Sequence, residues 1–270
     1  MTTRDAASLQ PTLISNSRRA LNLSGSPNFR DAGGYASTSG GRLHWGRLFR
    51  SGHLAYLTDD DRNAIEALGL QMVIDLRRAD ERDLEPSKLP AGVALVGAAI
   101  TPGSQASAIY ADSTQLGGPA AMYDFMCDIN REFVRSQSAE FRRVFAALLD
   151  SKAERVLIHC SAGKDRTGFA IAMLHLALDV DLADVEADYV LSRRYYRAEE
   201  QMARVRAKYA VDHLEDEDLM PMMRADYAYL AAAFAAIDDR WPSREVYLRE
   251  CLGLGVDERR ELRRRFVDET

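Results

Sequence analysis

What this 270-residue chain lacks narrows its function first. It has only three cysteines, Cys127, Cys160 and Cys251, too few and too scattered for a disulfide framework. A reduced, cytoplasmic setting is the default expectation, with export by a route that leaves no recognisable signal as the alternative. No apolar run approaches the ~20 residues of a membrane-spanning helix, so no transmembrane segment is expected. There is no excess of basic charge: 35 Lys and Arg stand against 41 Asp and Glu, a net charge of -6. A nucleic-acid partner, which needs a basic footprint, is not expected. The stretch up to Ser24 carries Arg4, Asp5, Arg18 and Arg19 but no apolar centre like that of a secretory signal. His44, His53, His175 and His213 show no metal-ligand spacing, and no metal or other cofactor is implied. Internal repeats and low-complexity tracts are absent.

The remainder reads as a globular α/β chain, 47% hydrophobic and 28% charged. Residues 1–24 are expected to be a flexible tail and 25–270 a single domain. Gly33-Gly34-Tyr35, the turn Ser39-Gly40-Gly41 and the apolar Leu43, Trp45 and Leu48-Phe49 suggest a hairpin. Thr58 before Asp59, Asp60 and Asp61 marks a helix start; Ile65 and Leu68 form its buried side and Gly69 its end. The short apolar runs Met72–Leu76 and Val156–Ile158 are bounded by helical sequence. They predict buried strands of a mainly parallel sheet flanked by helices. Between them lies an insertion with breakers at Pro102-Gly103 and Gly117-Gly118-Pro119. Met122, Phe125, Met126, Ile129 and Phe133 then form a helical stripe, read as core. Ser138 is expected to cap the next helix, Pro242-Ser243 to start a later one, and Gly253 and Gly255 to precede a solvated final helix through Arg265.

The strongest local pattern is Val156-Leu157-Ile158-His159-Cys160-Ser161-Ala162-Gly163-Lys164-Asp165-Arg166-Thr167-Gly168. A buried strand leads into a loop bracketed by cysteine and arginine, and the loop leads into a helix with Phe169, Ile171, Met173, Leu174 and Leu176. Such a loop suits a phosphate. Its amides can converge on the oxygens, and the helix points its positive end at them. Gly163 lets the backbone curl, and the Arg166 fork can hold two oxygens at once. The same positive field favours the thiolate of Cys160, the nucleophilic form. An ATP-binding P-loop is excluded, because it would need Gly at the position of Ile158 and Ser or Thr at that of Asp165.

With those residues in view, His159-Cys160-x5-Arg166-Thr167-Gly168 resembles the signature of protein tyrosine phosphatases. The run from Ala162 to Gly168 resembles in particular their bacterial atypical branch, typified by mycobacterial enzymes. Asn28-Phe29-Arg30-Asp31-Ala32-Gly33-Gly34-Tyr35, Gly46 to Gly52, Val73 to Arg77, and Tyr247-Leu248 with Leu252-Gly253 fit the same branch, so the likeness runs from about residue 28 to 255. It implies a phosphocysteine mechanism on phosphotyrosine, with phosphoserine and phosphothreonine as further substrates. Cys160 would be the nucleophile, and Arg166 with the loop from Ser161 would hold phosphate. No Trp-Pro-Asp tripeptide is present to supply the acid; Trp241-Pro242-Ser243 follows the cysteine and reads as a helix boundary. In the resembled branch the acid lies inside the loop, here Asp165. Asp75, at a neighbouring strand end, is the alternative, or else an ion-pair partner of Arg77, and Asp31 comes next.

The substrate-binding set expected from this is Ser161, Ala162, Gly163, Lys164, Thr167 and Asp75. Thr167 would hydrogen-bond the thiolate, and His159 would orient the loop from behind. Lys164 resembles the lysine of phosphoinositide phosphatases, or else it only balances Asp165. Arg30, Asp31 and Arg50 read as structural, the arginines tying loops to carboxylates, and Cys127 and Cys251 as buried hydrophobes. The helical segment 101–135 is expected to be a lid, or else a rigidly packed helix pair. The competing functions are a phosphoinositide phosphatase and a catalytically silent phosphate-binding module; a rhodanese-like sulfur transferase has a shorter loop. The partner is thus a phosphorylated protein or phosphoinositide, and the oligomeric state is open.

Overall fold

Strands that are apolar at every position belong inside a sheet covered on both faces, and the two apolar runs lie side by side at the centre of one. The computed structural model of the chain describes residues 16–101, 118–209 and 211–268. In chain order, α1 (Asn16–Arg19) precedes β1 (Arg30–Asp31), β2 (Arg42–Leu43) and β3 (Leu48–Ser51). Then come α2 (Asp59–Ala67), β4 (Met72–Asp75), α3 (Ala79–Leu84) and β5 (Ala94–Gly97). The second half holds α4 (Pro119–Arg135), α5 (Ser138–Ser151), β6 (Val156–His159), α6 (Asp165–Ala177), α7 (Leu182–Val190) and α8 (Ser192–Tyr196). It ends with α9 (Ala198–Tyr209), α10 (Asp216–Met223), α11 (Tyr227–Asp238), α12 (Arg244–Glu250), α13 (Val256–Phe266) and β7 (Val267–Asp268).

The main sheet has the order β1-β3-β6-β4-β5. β1 runs antiparallel to β3, and every other pairing is parallel. Side chains alternate between its faces, as the pleat requires. Phe49, Val73 and Leu157 pack on one side with Ile65 of α2. Leu48, Met72, Ile74, Val156 and Ile158 pack on the other with the large helical half. The register aligns Ser51 and Asp75 with His159, so three parallel strands end together and the loop after β6 emerges between the other two. Ligand sites in open α/β sheets form at this carboxyl edge.

Local chemistry sets most boundaries. Thr58 caps α2, its hydroxyl accepting from Asp61 N–H at 3.1 Å while the Asp61 carboxylate accepts from Thr58 N–H at 3.0 Å. Ser243 caps α12. Ser138 does not cap α5: it is the first helical residue, and its hydroxyl donates to Val134 O at 2.7 Å and meets Tyr247 Oη at 2.9 Å. Within the stretch expected to be a tail, Arg19 and Ser24 are tied to the rest of the chain. Arg19 is buried and donates to the carbonyls of Asp31 and Gly33, while the N–H groups of Ser24 and Gly25 donate to Asp61. Residues 1–15 lie outside the described residues, as do the breakers between 102 and 117. Among the described residues no helix is long and apolar enough to cross a membrane.

Candidate active site

The loop from Cys160 to Arg166 connects β6 to α6, and its shape depends on Gly163. That residue has φ +68°, and a Cβ there would lie 2.4 Å from the Ser51 carbonyl, so only glycine fits. The curl turns the Gly163 N–H toward Cys160, whose Sγ accepts it at 3.2 Å. α6 starts at Asp165, so its positive end faces the loop. Gly168 serves packing. A Cβ there would meet the Tyr189 ring at 2.6 Å and Arg50 Nη2 at 3.3 Å. The space left for Tyr189 matters, because its hydroxyl donates to Asp165 Oδ1 at 3.0 Å.

Cys160 lies on the floor of a cleft of about 100 Å³ and is 3% exposed. Ser161, Ala162, Lys164, Asp165 and Arg166 line the same cleft. Its apolar wall is Met126, Ile129 and Phe133 of α4 with Met222 and Met223 of α10; its aromatic wall is Tyr196 and Tyr209. The part of the expected lid that is described, α4, packs along α11 and α10, with Asn130 and Phe133 fully buried. α9 adds Arg204, Val205 and Tyr209 to the lining of the same cleft.

Arg166 is aimed by Glu81 of α3. Its Nη1 and Nη2 donate to the two carboxylate oxygens at 2.6 and 3.0 Å, a bidentate pair. Burial alone would raise the Glu81 carboxyl; Arg166 and Lys208 overcome that and hold it well below the usual carboxylate range. Four residues on, Glu85 accepts from Arg204 at 2.8 and 2.9 Å and from Lys208 at 2.8 Å. Lys208 also donates to Ser161 Oγ at 2.7 Å. Burial would raise Glu85 as well, yet these two cations lower it to about 2.

Lys164 is buried. Its Nζ donates to the carbonyls of Met222 at 2.5 Å and Arg224 at 3.3 Å, and lies 3.9 Å from Asp165. Burial lowers its pKa, opposed by Asp165 and Cys160.

Three residues of the expected substrate-binding set, Gly163, Thr167 and Asp75, are not among those lining the cleft. Asp75 is 1% exposed beneath the loop, chelated by Arg77 at 2.8–3.2 Å and 3.5 Å from His159 Nε2, and it does not line the cleft. Although burial opposes it, His159 and Arg77 hold the Asp75 carboxyl below its ordinary range, which suits a permanent ion-pair partner. Thr167 is fully buried in α6, outside the cleft wall, and its hydroxyl makes no hydrogen bond among the described residues. Asp31 accepts from Gly33 N–H at 2.7 Å and Gly46 N–H at 2.6 Å, bracing a turn away from the cleft. His159 lies behind the loop, with burial lowering it to about 4, so the imidazole is neutral near pH 7. Arg30 and Arg50 meet a carboxylate, Asp188, at 3.7 and 2.6 Å.

Glu81, Glu85, Tyr189, Arg204 and Lys208 escaped the sequence reading. A partial signal existed: acids four apart near α3 and cations four apart on α9, one face in each case. Nothing local says that the two faces meet.

Known proteins resemble this chain over most of its length. A protein of Cupriavidus necator named as a tyrosine-protein phosphatase is 33% identical over 231 residues, 85% of this chain and 82% of that protein. The triple specificity protein phosphatase PtpB of Mycobacterium tuberculosis is 28% identical over 267 residues, 84% of this chain and 92% of that protein. A crystal structure of TpbA from P. aeruginosa aligns over 72% of this chain and 98% of its own, at 17% identity and TM-score 0.35. The profile of the tyrosine phosphatase family matches residues 21–268, nearly the whole chain, and the protein belongs to that family.

Proposed function

We propose that the protein hydrolyses phosphate monoesters of tyrosine, and of serine and threonine, through a phosphocysteine intermediate on Cys160. The observation that carries this reading is the thiol on the cleft floor, contacted by the Gly163 N–H at 3.2 Å, beside an Arg166 fork held bidentately by Glu81. The Cys160 thiolate attacks phosphorus in line, and the ester C–O oxygen leaves. Arg166 and the loop N–H groups hold the three equatorial oxygens, where transition-state charge is spread. Asp165 gives its proton to the leaving oxygen. Its carboxylate then takes a proton from water, which attacks the phosphocysteine; the S–P bond breaks, releasing inorganic phosphate and restoring the thiolate. Asp165 lines the cleft and Asp75 does not, which favours Asp165 as the acid.

A phosphoinositide substrate is the second reading. It is supported by Arg78 and Arg204, which line the cleft in addition to Arg166, whereas the Lys164 ammonium donates to the carbonyls of Met222 and Arg224. Several phosphates on one head group would match several cations. Turnover of p-nitrophenyl phosphate tests the enzyme against a silent phosphate-binding module. Parallel assays on phosphopeptides and phosphoinositides then separate the two substrate classes; equal failure on every phosphomonoester would sink both.

A further inference from the structure

The carbonyls on the back of the phosphate loop are held by donors from outside it. In a trans peptide unit N–H and C=O point in opposite directions, so a carbonyl drawn backward aims the next residue's N–H forward. The Ser161 carbonyl accepts from His53 N–H at 3.0 Å. Those of Ala162 and Gly163 accept from Asn28 Nδ2 at 3.2 and 2.8 Å. Arg50 Nη2 donates to Gly163 O at 2.8 Å and Lys164 O at 3.4 Å. The N–H groups sharing these peptide units belong to Ala162, Gly163, Lys164 and Asp165. One of them, on Gly163, is the one seen pointing at Cys160 Sγ.

The donors are themselves fixed. Asn28 sits at φ +62°, and its own N–H donates to Tyr195 O at 3.0 Å. Its Oδ1 accepts from Arg30. A guanidinium can only donate, so this contact pins the oxygen end of the amide and leaves its NH₂ end to the loop. Arg30 and Arg50 both pair with Asp188. Arg30 and Arg50 are 0% exposed, Asp188 1% and Asn28 2%. Apolar residues would fill such a space at least as stably as buried charges. Directed donors do something apolar residues cannot: they set the orientation of peptide groups.

We propose that Asn28 and Arg50, braced by Arg30 and Asp188, are positioning residues that aim the loop N–H groups at the equatorial oxygens of the transferred phosphoryl group. This rests on the phosphocysteine reading above.

The test compares wild type, Asn28→Asp and Arg50→Lys. Asn28→Asp keeps the side-chain shape and the contact with Arg30, but replaces the loop-facing donor by an oxygen that repels the carbonyls. Arg50→Lys keeps a charge beside Asp188 but cannot reach both Asp188 and the loop. The readouts are kcat and KM on p-nitrophenyl phosphate, inhibition by vanadate, inorganic phosphate binding by calorimetry, and thermal melting. We expect kcat and vanadate affinity to fall together by roughly 10–100-fold, the size seen when groups that orient catalytic ligands are removed. KM should change less, because a transition-state contact is what weakens. Arg50→Lys should fall in the same direction and decides the matter if Asn28→Asp does not fold. Wild-type kcat and vanadate affinity in a folded variant overturns the proposal, as do losses that track only the unfolded fraction. If wild type hydrolyses no phosphomonoester, the functional reading fails instead. Calorimetry then still decides positioning: weaker phosphate binding in folded Asn28→Asp supports it, and equal binding overturns it.

Discussion

Behind the phosphate loop and in front of it, the protein uses the same chemistry, arginine against carboxylate, in two different settings. Behind, Arg30 and Arg50 enclose Asp188, and all three are essentially sealed from water. Burial alone would raise the Asp188 carboxyl, but the two guanidiniums hold it well below the ordinary range. In front, Arg204 and Lys208 of α9 pair with Glu85 at the end of α3. Both cations sit on one short helix, and Arg204 keeps 18% side-chain exposure. Removing one partner of a sealed pair strands a buried charge, whereas opening a pair at a cleft mouth returns its charges to water. The rear pairs form a sealed frame, whereas the front latch meets water chiefly through Arg204, its Glu85 and Lys208 side chains being 3% and 5% exposed.

The largest expected effect tests whether the loop held between these sides is a reaction centre. Cys160→Ser should abolish turnover while inorganic phosphate still binds, because a hydroxyl fits the loop but is not ionised near neutral pH. Measurable steady-state turnover by a pure Cys160→Ser preparation would falsify the covalent mechanism. Next, Asp188→Ala should destabilise the fold by about 3–5 kcal/mol, since Arg30 and Arg50 lose their counter-charge in a dry site. A loss under about 1 kcal/mol in denaturant titration would erase the distinction between frame and latch.

Asp165 and Asp75 sharpen the comparison within the loop's surroundings. Asp165→Asn should slow hydrolysis of poor leaving groups by roughly 10²–10⁴-fold and good ones far less, because only the poor ones need a proton. Asp75→Asn should lower stability and leave that dependence flat. A steep dependence in Asp75→Asn alone would reverse the assignment.

The smallest effect belongs to the latch. Glu85→Gln should cost about 1–3 kcal/mol, less than Asp188→Ala because Arg204 keeps some exposure while Glu85 and Lys208 are buried, and should speed reaction of Cys160 with peroxide and loosen amide exchange in α9. Burial raises the thiol pKa of both Cys127 and Cys251, so Cys160 should be the first sulfur oxidised in wild type and variant, as mass spectrometry would locate. Glu85 has its folded pKa depressed from 4.5 to about 2. The stability it contributes is therefore fully present above about pH 4.5 and lost as pH falls toward about 2. Melting temperatures of wild type and Glu85→Gln should converge over that window. A constant gap would place the latch's effect elsewhere.

The sequence by itself determined the features whose causes are local. Apolar runs at 72–76 and 156–158 marked strands buried on both faces, and the observed strands span Met72–Asp75 and Val156–His159. Thr58 announced its helix because a cap needs only its neighbours, and Gly163 announced the curl because no side chain fits a positive φ there. Cysteine, glycine and arginine at fixed spacing marked the phosphate loop, since one short segment carries all three. Tertiary structure alone decided which acids and cations surround that loop. Asp75 could equally have faced substrate or Arg77, and the register of β4 beside β6 placed it under the loop against Arg77. Ser138 looked like a cap, but Tyr247, 109 residues away, gave its hydroxyl another partner. Glu81 with Arg166, and Glu85 with Arg204 and Lys208, join segments 85 to 123 residues apart. Charges of that kind carry no periodicity of their own, because their partners are set by how α3 and α9 pack against the sheet edge rather than by their neighbours in the chain.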